Sequence, residues 1–147
     1  MQDLFRMNID KTVQLGIEAL KENKLQEAEK IFRFLLKQHP TNSEINHFLG
    51  ITFQLLNKIN EAIIYFEKTI KINPNFAEAH KNLGNMFYKL GKINEAELCF
   101  KKSIELDPKL NEAKIILEIV LEQKKIFEWV SSNKKLTKKT KKKLNKN

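Results

Sequence analysis

The sequence predicts an all-α fold: an α-solenoid of three helical hairpins followed by a seventh helix. Three observations lead there. Gly16, Gly50 and Gly84 are evenly spaced, and Pro40, Pro74 and Pro108 keep the same interval of thirty-four positions. The remaining glycine, Gly91, shares its place in this lattice with Asn57 and Asn23. Between these punctuation points apolar residues recur at spacings of three and four, the stripe of an amphipathic helix. A fixed period in the thirties marks a stacked helical array, whose units cover one another's apolar faces and together present an extended surface.

The elements follow in order. Residues 1–8 read as a lead-in, and the three units occupy 9–42, 43–76 and 77–110. The third unit is the clearest. Ala79, Leu83, Met86, Phe87 and Leu90 stripe its first helix. Gly91 then accepts the left-handed conformation that ends a helix, and asparagine is the next best residue there. Ile93, Ala96, Cys99, Phe100, Ser103 and Ile104 stripe the second helix. Asp107 and Pro108 stop it, because a residue before proline avoids helical geometry.

The other units match slot by slot without an insertion. Leu15, Leu49 and Leu83 precede the lattice glycines, and Ala28, Ala62 and Ala96 align in the second helices. Phe32, Phe66 and Phe100 follow four residues later. Glycine inside a helix costs about 1 kcal/mol relative to alanine, so its recurrence needs a packing reason. Close approach of the paired helices supplies one, with the alanine meeting the glycine and the phenylalanine filling the gap beyond. Glu27, Glu61 and Glu95 fall in the first turn of each second helix, where negative charge suits the helix dipole.

Leu-Gly, then Ala-x-x-x-Phe, then Pro, repeated at that interval, resembles the tetratricopeptide repeat. The fullest copy is His80-x-x-Leu83-Gly84-x-x-Phe87 with Ala96, Phe100 and Pro108. His80 and Phe87 stand where the family often has tryptophan and tyrosine; Thr12 and Asn46 are weaker substitutes in the earlier copies. The resemblance implies a right-handed superhelix whose concave face, lined by the first helix of each unit, holds a peptide or helix of another protein. Carried over position by position, the groove residues are Val13, Ile17 and Lys21 in the first unit. The second contributes His47, Ile51, Gln54 and Leu55, and the third Lys81, Asn85, Tyr88 and Lys89. Such a groove is apolar at one end and basic-polar at the other, suited to an amphipathic helix or a segment with an acidic end. Lys81 and Asn85 resemble half of the clamp by which some family members grip a C-terminal carboxylate. The matching slot in the next helix holds Ile116, so a complete clamp is not expected.

Residues 111–130 form a C-terminal capping or partner-contact helix. Ala113, Ile116, Leu117, Val120, Leu121 and Phe127 make one apolar arc on a helical wheel. Ile115, Ile119, Ile126 and Val130 widen it to roughly 240°, beyond the 100° stripe that suffices for a surface helix. A terminal cap should be polar outside. This one is not, so a second copy, a partner or further sequence is expected to cover it.

Residues 131–147 contain eight lysines and no acid. Removing them from the 27 Lys and Arg leaves 19 bases against 18 acids, so eight of the nine net positive charges belong to this segment and the array is nearly neutral. With no aromatic to stack a base, the segment reads as a flexible solubilising tail rather than a nucleic-acid site. No phosphate-cradling glycine loop, paired-histidine metal motif or nucleophile elbow occurs. His39, His47 and His80 sit at different phases of the repeat, and Cys99 is alone on a packing stripe. The expectation is a non-catalytic, cofactor-free cytoplasmic scaffold. The alternatives are an interaction module of a larger transferase-type enzyme or, a poorer fit, a nucleic-acid accessory protein.

Overall fold

The first turn of every hairpin rests on one backbone device. Asn23 and Asn57 adopt φ 57° and Gly91 φ 72°, the left-handed region that asparagine and glycine tolerate. Each is followed by a lysine whose N–H reaches back to the preceding helix: Lys24 to Ala19 O at 2.8 Å, Lys58 to Phe53 O and Lys92 to Phe87 O at 2.9 Å. A second bond joins Asn23 N to Leu20 O, Asn57 N to Gln54 O and Gly91 N to Tyr88 O. This paired arrangement satisfies the last carbonyls of a helix and turns the chain sharply.

A computed structural model describes residues 2–144, with side chains placed for 9–134. Among the described residues there are seven α-helices and no strand: α1 (Gln2–Lys21), α2 (Leu25–Gln38), α3 (Ser43–Leu55), α4 (Ile59–Ile72), α5 (Ala77–Lys89), α6 (Ile93–Leu106) and α7 (Asn111–Leu144). Each helix packs chiefly on its neighbours in sequence, and α1 also meets α3, and α3 meets α5. The order is one-dimensional, as in a solenoid.

The core lies between paired helices. Phe32, Phe66 and Phe100 are fully buried, each over the glycine of the facing helix. A Cβ built on Gly16 would lie 2.5 Å from Phe32 Cζ, and one on Gly50 would lie 2.7 Å from Phe66 Cε1. The aromatic ring, rather than the alanine before it, therefore occupies the space that the missing side chain leaves. Leu49 and Leu83 are buried, whereas Leu15, in the first described hairpin, is exposed.

The joints between units use hydrogen bonds as well. Asn42 caps α3 by accepting from Ile45 N at 3.0 Å. Ser103 Oγ donates to Ala77 O at 2.9 Å, tying the end of α6 to the start of α5. The residue six after a lattice proline contacts that proline's carbonyl: His80 Nε2 lies 2.9 Å from Pro74 O, and Asn46 Nδ2 lies 3.4 Å from Pro40 O. These two side chains thus clip the proline loop, although neither is the aromatic of the family pattern.

Two boundaries differ from those read in the sequence. Helix α1 begins at Gln2, so the expected lead-in is helical, with Met1 outside the described residues. Helix α7 does not stop at 130 but runs to Leu144, so the expected flexible tail is helical as far as that residue; 145–147 lie outside the described residues. The physical reason is local. After Pro108 there is no glycine or proline, lysine is a good helix former, and basic residues suit a helix C-terminus.

Replacing Gly50 by alanine should destabilise the protein by about 1–2 kcal/mol, overpacking against Phe66 outweighing the gain in helix propensity. Gly84→Ala should cost less, since its Cβ would lie 3.1 Å from Phe100. Urea denaturation followed by circular dichroism measures both.

Candidate protein-interaction surface

Helix α3 approaches α1 and α5 more closely than the even-numbered helices approach one another, which puts α1, α3 and α5 on the inner face of the array. Two side-chain bonds extend this face from α5 to α7. Lys81 Nζ donates to Glu112 Oε2 at 2.9 Å, and Gln123 Nε2 donates to the Tyr88 hydroxyl at 2.7 Å. Helix α7 therefore stands as a fourth inner helix without a second helix of its own.

Among the expected groove residues, Val13, Ile17 and Ile51 are half-buried, with one flank against the core. Gln54, Asn85 and Tyr88 are half-buried too, while Lys21, Leu55 and Lys89 are exposed or nearly so. The Gln54 Oε1 atom is buried without a hydrogen-bond partner.

His47 does not belong to the groove. It is 6% exposed, with its ring centroid 4.6 Å from that of Phe76 and 5.7 Å from that of Phe66. Its Nε2 lies 3.0 Å from Asn82 Nδ2, so the ring accepts from an amide. Burial away from water pushes its pKa down to about 4, the nearby Glu78 charge offsetting this only in part. The lattice places His47 at the same slot as Val13 and Lys81, but only here does an aromatic from the following loop close over it.

Lys81 is also altered by its surroundings. Its side chain is 12% exposed and lies 2.9 Å from both Glu78 and Glu112. With two carboxylates on one ammonium, this end of the face is less basic than the sequence suggested, and Lys81 is not arranged to clamp a ligand carboxylate.

Ile115 and Ile119, rather than the expected Ile116, stand one repeat interval after Lys81 and Asn85 and occupy the same slots of the lattice. Both are exposed, as is Ile126, and Val130 is half-buried. The opposite side of α7 holds Ala113 and Val120, fully buried on α6. Phe127, part of the apolar arc in the sequence, is 73% exposed and lines an open cleft with Ile93, Asn94 and Glu95 at the start of α6. Trp129, 67% exposed, was not singled out; its position three residues after Ile126 was the available signal.

The chemistry of the remaining polar groups is quiet. Cys99 is half-buried, and burial pushes its thiol up to about 11, away from the reactive thiolate. Among the described residues no group of three or more His, Cys, Asp or Glu side chains could hold a metal ion. No helix among them is long and apolar enough to cross a membrane.

Stacked helical hairpins with an inner row of helices define an α-solenoid, a class whose features are its surfaces. Family models described as "Tetratricopeptide repeat" and "TPR repeat" match residues 77–110 and 52–91, so the later part of the array carries tetratricopeptide repeats. No curated protein matches the chain. Among solved structures, it is similar to the first TPR of Spaghetti (RPAP3) bound to an HSP90 peptide, at 20% identity and TM-score 0.75, covering 78% of this chain and 91% of that one. The Yersinia enterocolitica type III secretion chaperone SycD, in complex with a peptide of the translocator YopD, is similar at 17% identity and TM-score 0.75, with 80% and 95% covered. The O-GlcNAc transferase of Thermobaculum terrenum is similar at 23% identity and TM-score 0.75, covering 79% of this chain but 22% of that one.

Acidification should expose the His47 linkage. Its depressed pKa means that the unfolded chain binds the proton more readily, so stability is complete above pH 6.5 and falls as pH drops toward 4. The loss is on the order of 3 kcal/mol. In His47→Phe, the dependence of the melting temperature on pH across this window should flatten.

Proposed function

We propose that the chain is a non-catalytic interaction scaffold, with repeat units at 9–42, 43–76 and 77–110, that holds a segment of another protein on its inner face. The observation that carries this is a single row. Ile17, Ile51, Asn85 and Ile119 occupy one slot of four successive inner helices, apolar at all but the third. Exposed Leu55 extends the apolar strip beside it. An amphipathic helix laid across such a row would bury its anchor residues there. Lys21 and Lys89 suit a ligand with an acidic segment, whereas Lys81 contributes less because Glu78 and Glu112 already hold it.

The peptide-bearing structures of Spaghetti and SycD support this reading by analogy of fold. A lone cysteine fits work in a reducing compartment, and we assign the protein to the cytoplasm. The stripe of α7, with exposed Ile115, Ile119 and Ile126 and half-buried Val130, is a second contact surface that we assign to self-association. A second reading, an interaction module serving a transferase, draws on the transferase of which a similar array forms a small part.

The test is selection of displayed peptides on the wild-type chain, followed by titration of the selected peptide into Leu55→Glu/Lys89→Glu. Neither side chain belongs to the buried core, so the fold should be retained. The expected result is at least about tenfold weaker binding, or about 1.4 kcal/mol. Equal affinity would remove the inner face from the account.

A further inference from the structure

We propose that two copies of the chain pair through α7 in antiparallel orientation, with Ile126 of each packed against Trp129 of the other. This rests on the assignment of the α7 stripe to self-association and adds its geometry.

The stripe has the spacing of a coiled-coil seam. Ile115, Ile119, Glu122, Ile126, Trp129 and Asn133 are separated by four, three, four, three and four residues, and the sequence continues the alternation with Leu136 and Thr140. Ile115, Ile119, Ile126 and Trp129 are all exposed, so the seam is open. It lies on the side of the helix roughly opposite Ala113 and Val120, which pack on α6.

Charge selects the direction. The first part of the helix carries Glu112, Glu118 and Glu122 against Lys114, while residues 124–144 carry nine lysines against Glu128. Parallel pairing would lay the two lysine runs side by side and set Glu122 against its own copy, and like charges in contact are destabilising. Antiparallel pairing sends the lysine runs to opposite ends, each toward the acidic half of the other helix. The register in which Ile126 meets Trp129 then fixes the other layers. Ile119 faces the Leu136 position, Glu122 faces Asn133, and Glu112 faces the Lys143 position. Ile126 with Trp129 and Ile119 with Leu136 are apolar layers, Ile115 faces the Thr140 position, and Glu112 faces a base.

The array supplies the same geometry within one chain. Each odd helix is followed by an even helix that runs antiparallel to it, and among the described residues α7 alone lacks this successor. Glu118 replaces the lattice glycine there, and no phenylalanine follows to lie over it. A second α7 covers the vacant side without needing the close approach that glycine permits.

Sedimentation equilibrium on the full chain should give twice the mass of one chain, and Ile126→Asp/Trp129→Asp should give one chain mass with unchanged helicity by circular dichroism. Direction is read by cysteine cross-linking in a Cys99→Ala background. A mixture of Glu122→Cys and Asn133→Cys chains should form the mixed disulfide at least about tenfold faster than Asn133→Cys links to itself. A monomeric wild-type chain at high micromolar concentration would overturn both the self-association and its geometry. A dimer that survives Ile126→Asp/Trp129→Asp would overturn the assignment to α7. A dimer lost in that variant, but in which Asn133→Cys links fastest to itself, would overturn the antiparallel register alone.

Discussion

The seating of a phenylalanine ring on a helical glycine is the constraint from which the rest of the architecture follows. Phe32 over Gly16, Phe66 over Gly50 and Phe100 over Gly84 set how near the two helices of each hairpin lie. That separation fixes where the odd helices stand relative to one another, and so the curvature of the inner face. The glycine weakens its helix locally, and the buried ring more than offsets this. Because the same contact recurs in each unit, the helices stack with one geometry, and side chains one period apart come to stand in rows.

Much of the architecture is legible in the sequence because it is written in backbone chemistry. Left-handed residues and prolines have few alternatives, and Asn23, Asn57 and Gly91 turn the chain at equivalent places. What the lattice does not convey is the environment of each copy. Val13, His47, Lys81 and Ile115 share one slot, yet the first is half-buried, the second enclosed by aromatic rings, the third held by two carboxylates and the fourth exposed. Burial at a slot depends on the loop and helix that follow, which differ between units. His47 is lost to the core because Phe76 closes over it, and no periodicity reports that.

The ends of the array are where the repeat logic lapses. Leu15 occupies a core slot but is exposed in the first described hairpin, and Phe127 is exposed beside the start of α6. The extent of α7 was hidden for a different reason. A lysine run is compositionally a tail, but it contains no residue that breaks a helix, and the preceding apolar turns provide a nucleus from which it propagates. The lysines are thereby attached to a rod rather than to a string, which turns their charge from diffuse to directional.

Ile119 belongs at once to the proposed inner row and to the proposed seam of α7. A side chain can be withdrawn from water only once, so whatever settles on the row at its fourth helix competes with whatever settles on the seam. Thermodynamic reciprocity then requires that each association weaken the other by the same factor. In the proposed scheme, Ile119 is thus the side chain through which cargo would decide how many copies of the scaffold stand together.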